Sequence, residues 1–187
     1  MKKINFKLNI SNSFLNFLIA FLIFLILILI FFLNNITIAI VNGSSMEDTI
    51  HHKDILIVNK KSYNSQSPKR YDIVNVYSPY KYDNYLVKRI IGLPGDLIEI
   101  KDSTLFINGK KINEIYIKEE MNIPYKLKLK IPSGKFFIMG DNRNVSLDSR
   151  YLGLIKGEDI KGKTLFKYCV KTRKFEFFKN NLENILP

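Results

Sequence analysis

One cysteine and two histidines are the whole supply of thiol and imidazole in these 187 residues. A lone Cys169 forms no intrachain disulfide, and with His51 and His52 adjacent there is no spacing for a metal cluster. Chemistry that needs no metal cluster is what remains open. The run Thr164-Leu165-Phe166-Lys167-Tyr168-Cys169-Val170 makes Cys169 a small apolar residue of a strand. Acids are scarce too, with 17 Asp and Glu against 29 Lys and Arg and a net charge of +12. The basic residues are scattered and form no tract of five or more, which argues against nucleic acid as the partner. There is no internal repeat, and no biased tract beyond one apolar run near the N-terminus.

That run, Phe14 to Leu33, holds twenty residues with a single polar side chain, Asn16. At a helical rise of about 1.5 Å per residue it matches the roughly 30 Å of a bilayer's hydrocarbon core. The stretch after it, Asn34-Asn35-Ile36-Thr37-Ile38-Ala39-Ile40, offers no convincing small-x-small cleavage site, so the segment reads as an uncleaved anchor. Lys2, Lys3 and Lys7 precede it and no acid does, which places the N-terminus in the cytoplasm and the long remainder outside. The expected layout is a cytoplasmic N-terminus (1–13), a transmembrane anchor (14–33) and an extracytoplasmic catalytic domain (34–187). Most of the basic excess lies in that last part, where anionic lipid headgroups are the simplest partner.

From Ile36 onward the pattern is short strands, so the fold class is mainly β. Apolar, β-branched runs recur at Asp54–Val58, Asp72–Tyr77, Leu86–Ile91 and Leu97–Ile100, bounded by Ser67-Pro68, Ser78-Pro79 and Pro94-Gly95. Thr104–Ile107, Asn108-Gly109 and Lys110–Ile112 form a hairpin signal, because Asn-Gly suits the positive φ angles of a type I′ turn. Lys126–Lys130 alternates like a half-exposed strand, and Gly134–Met139 is another strand. Residues 113–125 read as an excursion or flap.

Three separated segments make chemical sense together. Asn42-Gly43-Ser44-Ser45-Met46 offers a serine in a Gly-containing turn. Tyr85–Arg89 offers Lys88 among apolar neighbours, where desolvation favours the neutral amine. Gly140–Arg150 offers a polar loop able to orient that lysine. A hydroxyl becomes a nucleophile when a base takes its proton, and a neutral lysine is such a base.

These segments resemble the boxes of bacterial type I signal peptidases, in their Gram-positive-like short form. Gly43–Thr49 is similar to the nucleophile box, Pro68–Val74 to the next, Lys88-Arg89 with Gly92-Leu93-Pro94-Gly95-Asp96 to the lysine box, and Gly140–Arg150 to the last. The resemblance implies a β domain of coiled antiparallel sheets behind the anchor, no cofactor, and preprotein signal peptides as substrates. It implies that Ser45 is the nucleophile and Lys88 the general base, with Ser146 hydrogen-bonded to the lysine. Asp148 and Arg150 correspond to an ion pair that stiffens the loop, and Asp141 pairs with Arg89. The Ser45 N–H is a candidate oxyanion donor. Gly43 stands where the Gram-negative branch carries a serine, so a second donor has to come from backbone. The implied substrate adds as a β-strand, with small side chains at positions −1 and −3.

Two departures concern geometry and leave the chemistry intact. Asp48 replaces the usual proline, which removes a fixed φ from the turn, and His52-Lys53-Asp54 stands where Gly-Asp is common. His51 and His52 read as exposed turn residues. Competing functions are a Ser-Lys peptidase with a specialised substrate, a self-cleaving repressor-type peptidase, which the anchor argues against, and an inactive membrane-tethered β domain, which intact Ser45, Lys88 and Ser146 argue against.

Overall fold

The computed structural model describes residues 11–78, 85–122 and 126–178. It divides into two units, 1–35 and 36–187. The first contains one helix, α1 (Asn12–Asn35), of 24 residues, none of whose side chains is buried. Ser11 caps it, its Oγ accepting from Phe14 N–H at 3.3 Å. The helix extends past the apolar run at both ends, and the Asn35 amide folds back to donate to the Phe31 carbonyl at 2.6 Å. Polar ends and an apolar middle are what a bilayer-spanning helix requires, since it satisfies its own backbone bonds throughout.

The second unit is built on strands β1 (Ile36–Ile40), β2 (Ile55–Asn59), β3 (Ile73–Tyr77), β4 (Tyr85–Gly92), β5 (Leu97–Lys101), β6 (Thr104–Ile107), β7 (Lys110–Lys111), β8 (Leu127–Lys130), β9 (Lys135–Met139), β10 (Ile155–Lys156), β11 (Ile160–Cys169) and β12 (Lys174–Phe177). A short helix, α2 (Ser149–Leu152), precedes β10. The larger sheet runs β1-β2-β11-β3-β4-β9-β10 with β12 added to β11, and the smaller runs β7-β6-β5-β8. All the strand pairings are antiparallel. Register shifts interrupt β11 and β4, and bulges of this kind bend and coil a sheet. The fold is therefore the expected mainly β class with curled antiparallel sheets.

Asn108 and Gly109 take φ values of 53° and 81°, as the hairpin between β6 and β7 demands. Cys169 is buried at the end of β11, the apolar strand position expected of it. Residues 113–122 of the expected excursion form no strand or helix and most of them are exposed, while Tyr116 packs against the core cluster and Met121 is buried in it. Residues 123–125 lie outside the described residues. A separate cluster of Met46, Ile50, Leu56, Val58 and Ile73 fills the space beneath the turn that carries Ser45.

Candidate active site

The turn after β1 is fixed from several sides. Val41 N–H donates to the Asp54 carbonyl and Lys53 N–H returns to the Val41 carbonyl, both at 2.9 Å, so the two ends of the loop are stitched together. Ile50 N–H donates to the Met46 carbonyl at 2.8 Å, one helical turn, and both side chains are fully buried. The far end is held by Lys167 Nζ, which donates to the Thr49 carbonyl at 2.7 Å. Ser45, one residue before the Met46 plug, is left half-buried with its hydroxyl toward β4.

Lys88 lies on the face of β4 that also buries Leu86 and Ile90, and only 2% of it is exposed. Its Nζ donates to Ser45 Oγ at 2.6 Å and to the Val87 carbonyl at 3.1 Å. Two residues 43 positions apart in sequence are thus within proton-transfer distance.

The third segment wraps around this pair. Asn142 N–H donates to the Ser45 carbonyl at 3.1 Å, and its side-chain amide donates to the Ser44 carbonyl at 3.1 Å. Gly140 passes so close that a Cβ there would collide with both the Ser45 carbonyl oxygen and Ser146 Oγ, so no other residue fits without a backbone shift. Asp148 accepts from Gly140 N–H at 2.9 Å and from Arg150 Nε and Nη2, each at 2.8 Å. The same carboxylate caps α2 through Arg150 N–H. Asp148 and Arg150 therefore form the expected ion pair, both arms buried.

Arg89 and Asp141 form a two-pronged pair, with Nε to Oδ1 at 2.9 Å and Nη2 to Oδ2 at 2.6 Å, and Thr49 Oγ1 donates to the same Oδ2 at 2.5 Å. The Tyr116 ring lies against two guanidinium groups, 4.4 Å from Arg89 and 5.9 Å from Arg143. Arg143 in turn pairs with Glu114, which also accepts from the Tyr116 hydroxyl at 2.7 Å. Burial disfavours the Arg89 and Arg143 charges, but Asp141 and Glu114 outweigh it and hold both guanidinium groups above their ordinary pKa. Burial, reinforced by Glu114, pushes the Tyr116 hydroxyl well up. These are fixed charges, suited to holding shape and not to exchanging protons.

Of the residues singled out in sequence, Ser45, Lys88, Arg89, Asp141, Asp148 and Arg150 converge here. Ser146 lies in the same loop, but its buried Oγ has no hydrogen-bond partner, and the bond to Lys88 that the resemblance implies is not formed in this conformation. Gly43 N–H donates to Nδ1 of the exposed His52 at 3.3 Å, so that donor is committed to the ring. Thr49, Glu114, Tyr116 and Asn142 were given no role in sequence. Their long-range contacts bridge 27 to 98 positions, and although Thr49 and Asn142 fall within the boxes, nothing local marks the contact any of the four makes.

A cleft of about 300 Å³ opens beside Ser45 and Lys88, walled by β1 with the residues after it and by the start of β4, with Ala39, Val41, Met46 and Leu86 in its lining. Among the described residues, β1 pairs with β2 alone and Tyr85–Lys88 with β3 alone, since β9 joins β4 from Arg89 onward. Two open strand edges therefore flank the cleft.

Comparison with known proteins finds a family model described as signal peptidase, peptidase S26, matching residues 12–169. A signal peptidase I of Bacillus caldolyticus is 40% identical over 147 residues, covering 69% of this chain and 77% of its own length. Signal peptidase I T of Bacillus subtilis (strain 168) is 41% identical over 152 residues, covering 76% of this chain and 74% of its own. A crystal structure of a signal peptidase I from Enterococcus faecalis V583 is 34% identical, with a TM-score of 0.46, covering 52% of this chain and 97% of that one.

Proposed function

The chain belongs to the signal peptidases of peptidase family S26, and from that premise we propose that Ser45 is its nucleophile and Lys88 its general base. The protein is a membrane signal peptidase, a serine endopeptidase that removes signal peptides from preproteins. The observation that carries the residue assignment is the 2.6 Å contact between Lys88 Nζ and Ser45 Oγ, with Lys88 only 2% exposed.

A neutral Lys88 takes the Ser45 proton as Oγ attacks the scissile carbonyl, and burial favours that neutral form. The resulting ammonium then gives the proton to the leaving amine, and water attacks the acyl-Ser45 ester with Lys88 again acting as base. The Ser45 N–H, which finds no acceptor among the described residues, is the donor proposed for the oxyanion. A substrate strand would bond to the open edges of β1 and β4 by β-augmentation, and the apolar lining of the cleft suits the small side chains proposed at −1 and −3.

The anchor is proposed to cross the membrane with its N-terminus inside, supported by the three early lysines. Anionic headgroups, and not nucleic acid, are the proposed partners of the basic excess. Protease added outside spheroplasts should then digest the β domain; digestion only after lysis reverses the orientation.

The deciding experiment is incubation of the full-length protein in lipid vesicles with a preprotein, mapping the cut by mass spectrometry. A single cut after a small residue, absent with Ser45→Ala, is expected. Undiminished cleavage by Ser45→Ala would remove the nucleophile assignment.

A further inference from the structure

Lys167 is a buried cation that the proposed proton path does not use. On β11 it stands directly opposite Leu56 of β2 on one side and Glu176 of β12 on the other. Leu56 belongs to the apolar cluster beneath the turn that carries Ser45, and Lys167 itself is only 4% exposed. A leucine or methionine would satisfy such a position by burial alone, whereas an ammonium has to be paired there. Its Nζ donates to the Thr49 carbonyl at 2.7 Å and lies 3.3 Å from the Glu176 and 3.7 Å from the Asp54 carboxylate. Asp54, also buried, is fixed in turn. One of its oxygens accepts from His51 N–H at 3.0 Å, with the His51 ring 3.8 Å away, and the other accepts from Val170 N–H at 3.3 Å.

These contacts bear on one loop. Asn142 holds its near end at the Ser45 carbonyl. Thr49 is held twice, by Lys167 at its carbonyl and by Asp141 at its hydroxyl. Only three residues separate Ser45 from Thr49, so a shift of the Thr49 carbonyl reaches a hydroxyl that has to stay 2.6 Å from Lys88 Nζ. A displacement of about 1 Å in a reacting group can cost about a hundredfold in rate.

We propose that Lys167 is a positioning residue for Ser45, and that Glu176 aims its ammonium at the Thr49 carbonyl, so that β12 contributes to turnover without reaching the reacting atoms. The inference rests on reading Ser45 as the nucleophile. A lysine head is a point charge on a flexible stem, and without Glu176 the nearest carboxylate to Nζ is Asp54, at 3.7 Å. The match to the family model stops at 169, so the cation lies inside the matched region and Glu176 beyond it.

The test uses the full-length protein in lipid vesicles with a preprotein substrate, reading kcat and KM separately and Tm alongside. Lys167→Met keeps the length and the apolar contacts and removes the charge. At temperatures where it is folded, its kcat should fall about tenfold or more with KM within about twofold. Lys167→Arg restores a cation and should come back to within about threefold of the unmodified enzyme. Glu176→Gln alters a carboxylate that is 48% exposed, so the fold should survive while kcat falls about twofold to fivefold. A purely structural lysine would lower Tm and leave kcat of the folded protein unchanged. Unchanged kcat in Lys167→Met, or a loss in Lys167→Arg as large as in Lys167→Met, overturns the positioning role. Unchanged kcat in Glu176→Gln overturns the part given to β12, and it decides against the whole proposal if Lys167→Met does not fold. Cleavage that survives Ser45→Ala removes the nucleophile reading, and this inference with it; cleavage lost in Ser45→Ala but untouched by the Lys167 variants overturns this inference alone.

Discussion

Asn142 holds the Ser45 carbonyl through its backbone N–H and the Ser44 carbonyl through its side chain, both at 3.1 Å, from nearly a hundred residues away. The clamp fixes the backbone on which the proposed nucleophile and oxyanion donor sit, without touching the reacting atoms. Asn142→Ala removes one of the two bonds. A neutral hydrogen bond of this kind is worth about 1 kcal/mol, so kcat should fall by roughly fivefold to tenfold with KM little changed. An unchanged kcat would reduce the clamp to a fold contact.

Ser146 permits a separation of stability from activity. Its Oγ is buried without a partner, which ordinarily counts against folding. Ser146→Ala should leave Tm unchanged or slightly raised. If the hydroxyl turns to Lys88 when substrate closes the cleft, kcat falls in the same variant. A loss of Tm, followed by thermal unfolding, would show instead that the hydroxyl is already satisfied in the resting protein.

The Arg89–Asp141 pair works the other way. Both side chains are at most 5% exposed, and removing one leaves the other's charge buried. Asp141→Ala should cost about 3–5 kcal/mol of stability, read by denaturant unfolding. Thr49 also loses its acceptor, so the turn carrying Ser45 loosens and activity falls even at temperatures where the variant is folded. Losses below about 1 kcal/mol would mean that solvent reaches the site far more freely than its burial implies.

What could be read from sequence follows the range of the interaction that sets it. The type I′ turn at Asn108-Gly109 is local, and it is where the dipeptide puts it. The apolar run gave the middle of α1 but not its ends, because Asn12, Ser13, Asn34 and Asn35 are helical without being apolar. Lys88 and Ser45 were legible only as parts of quoted boxes; nothing local in either segment requires the other. Glu114 and Tyr116 were illegible. Their segment has no strand or helix period, and its order comes from the buried charge of Arg143 and the face of a ring. β12 escaped for a different reason: Lys174-Phe175-Glu176-Phe177 does alternate, but four residues are a short signal and none of them is buried.

Substituting Lys88 itself tests the proposed proton path most sharply. A lysine serves as base only after losing its proton, so cleavage should rise with pH as the enzyme's amine becomes neutral and then level off. Lys88→Arg keeps the charge and much of the length, but a guanidinium does not give up its proton in this range. It should therefore be as inactive as Lys88→Ala. Ser45→Ala combined with Lys88→Ala should be little worse than either alone, because the base has no function without its hydroxyl. The measurement is single-turnover cleavage of a signal-peptide substrate across pH. An active Lys88→Arg enzyme would mean that the side chain supplies only positive charge beside Ser45, and the base would have to be sought elsewhere in the cleft.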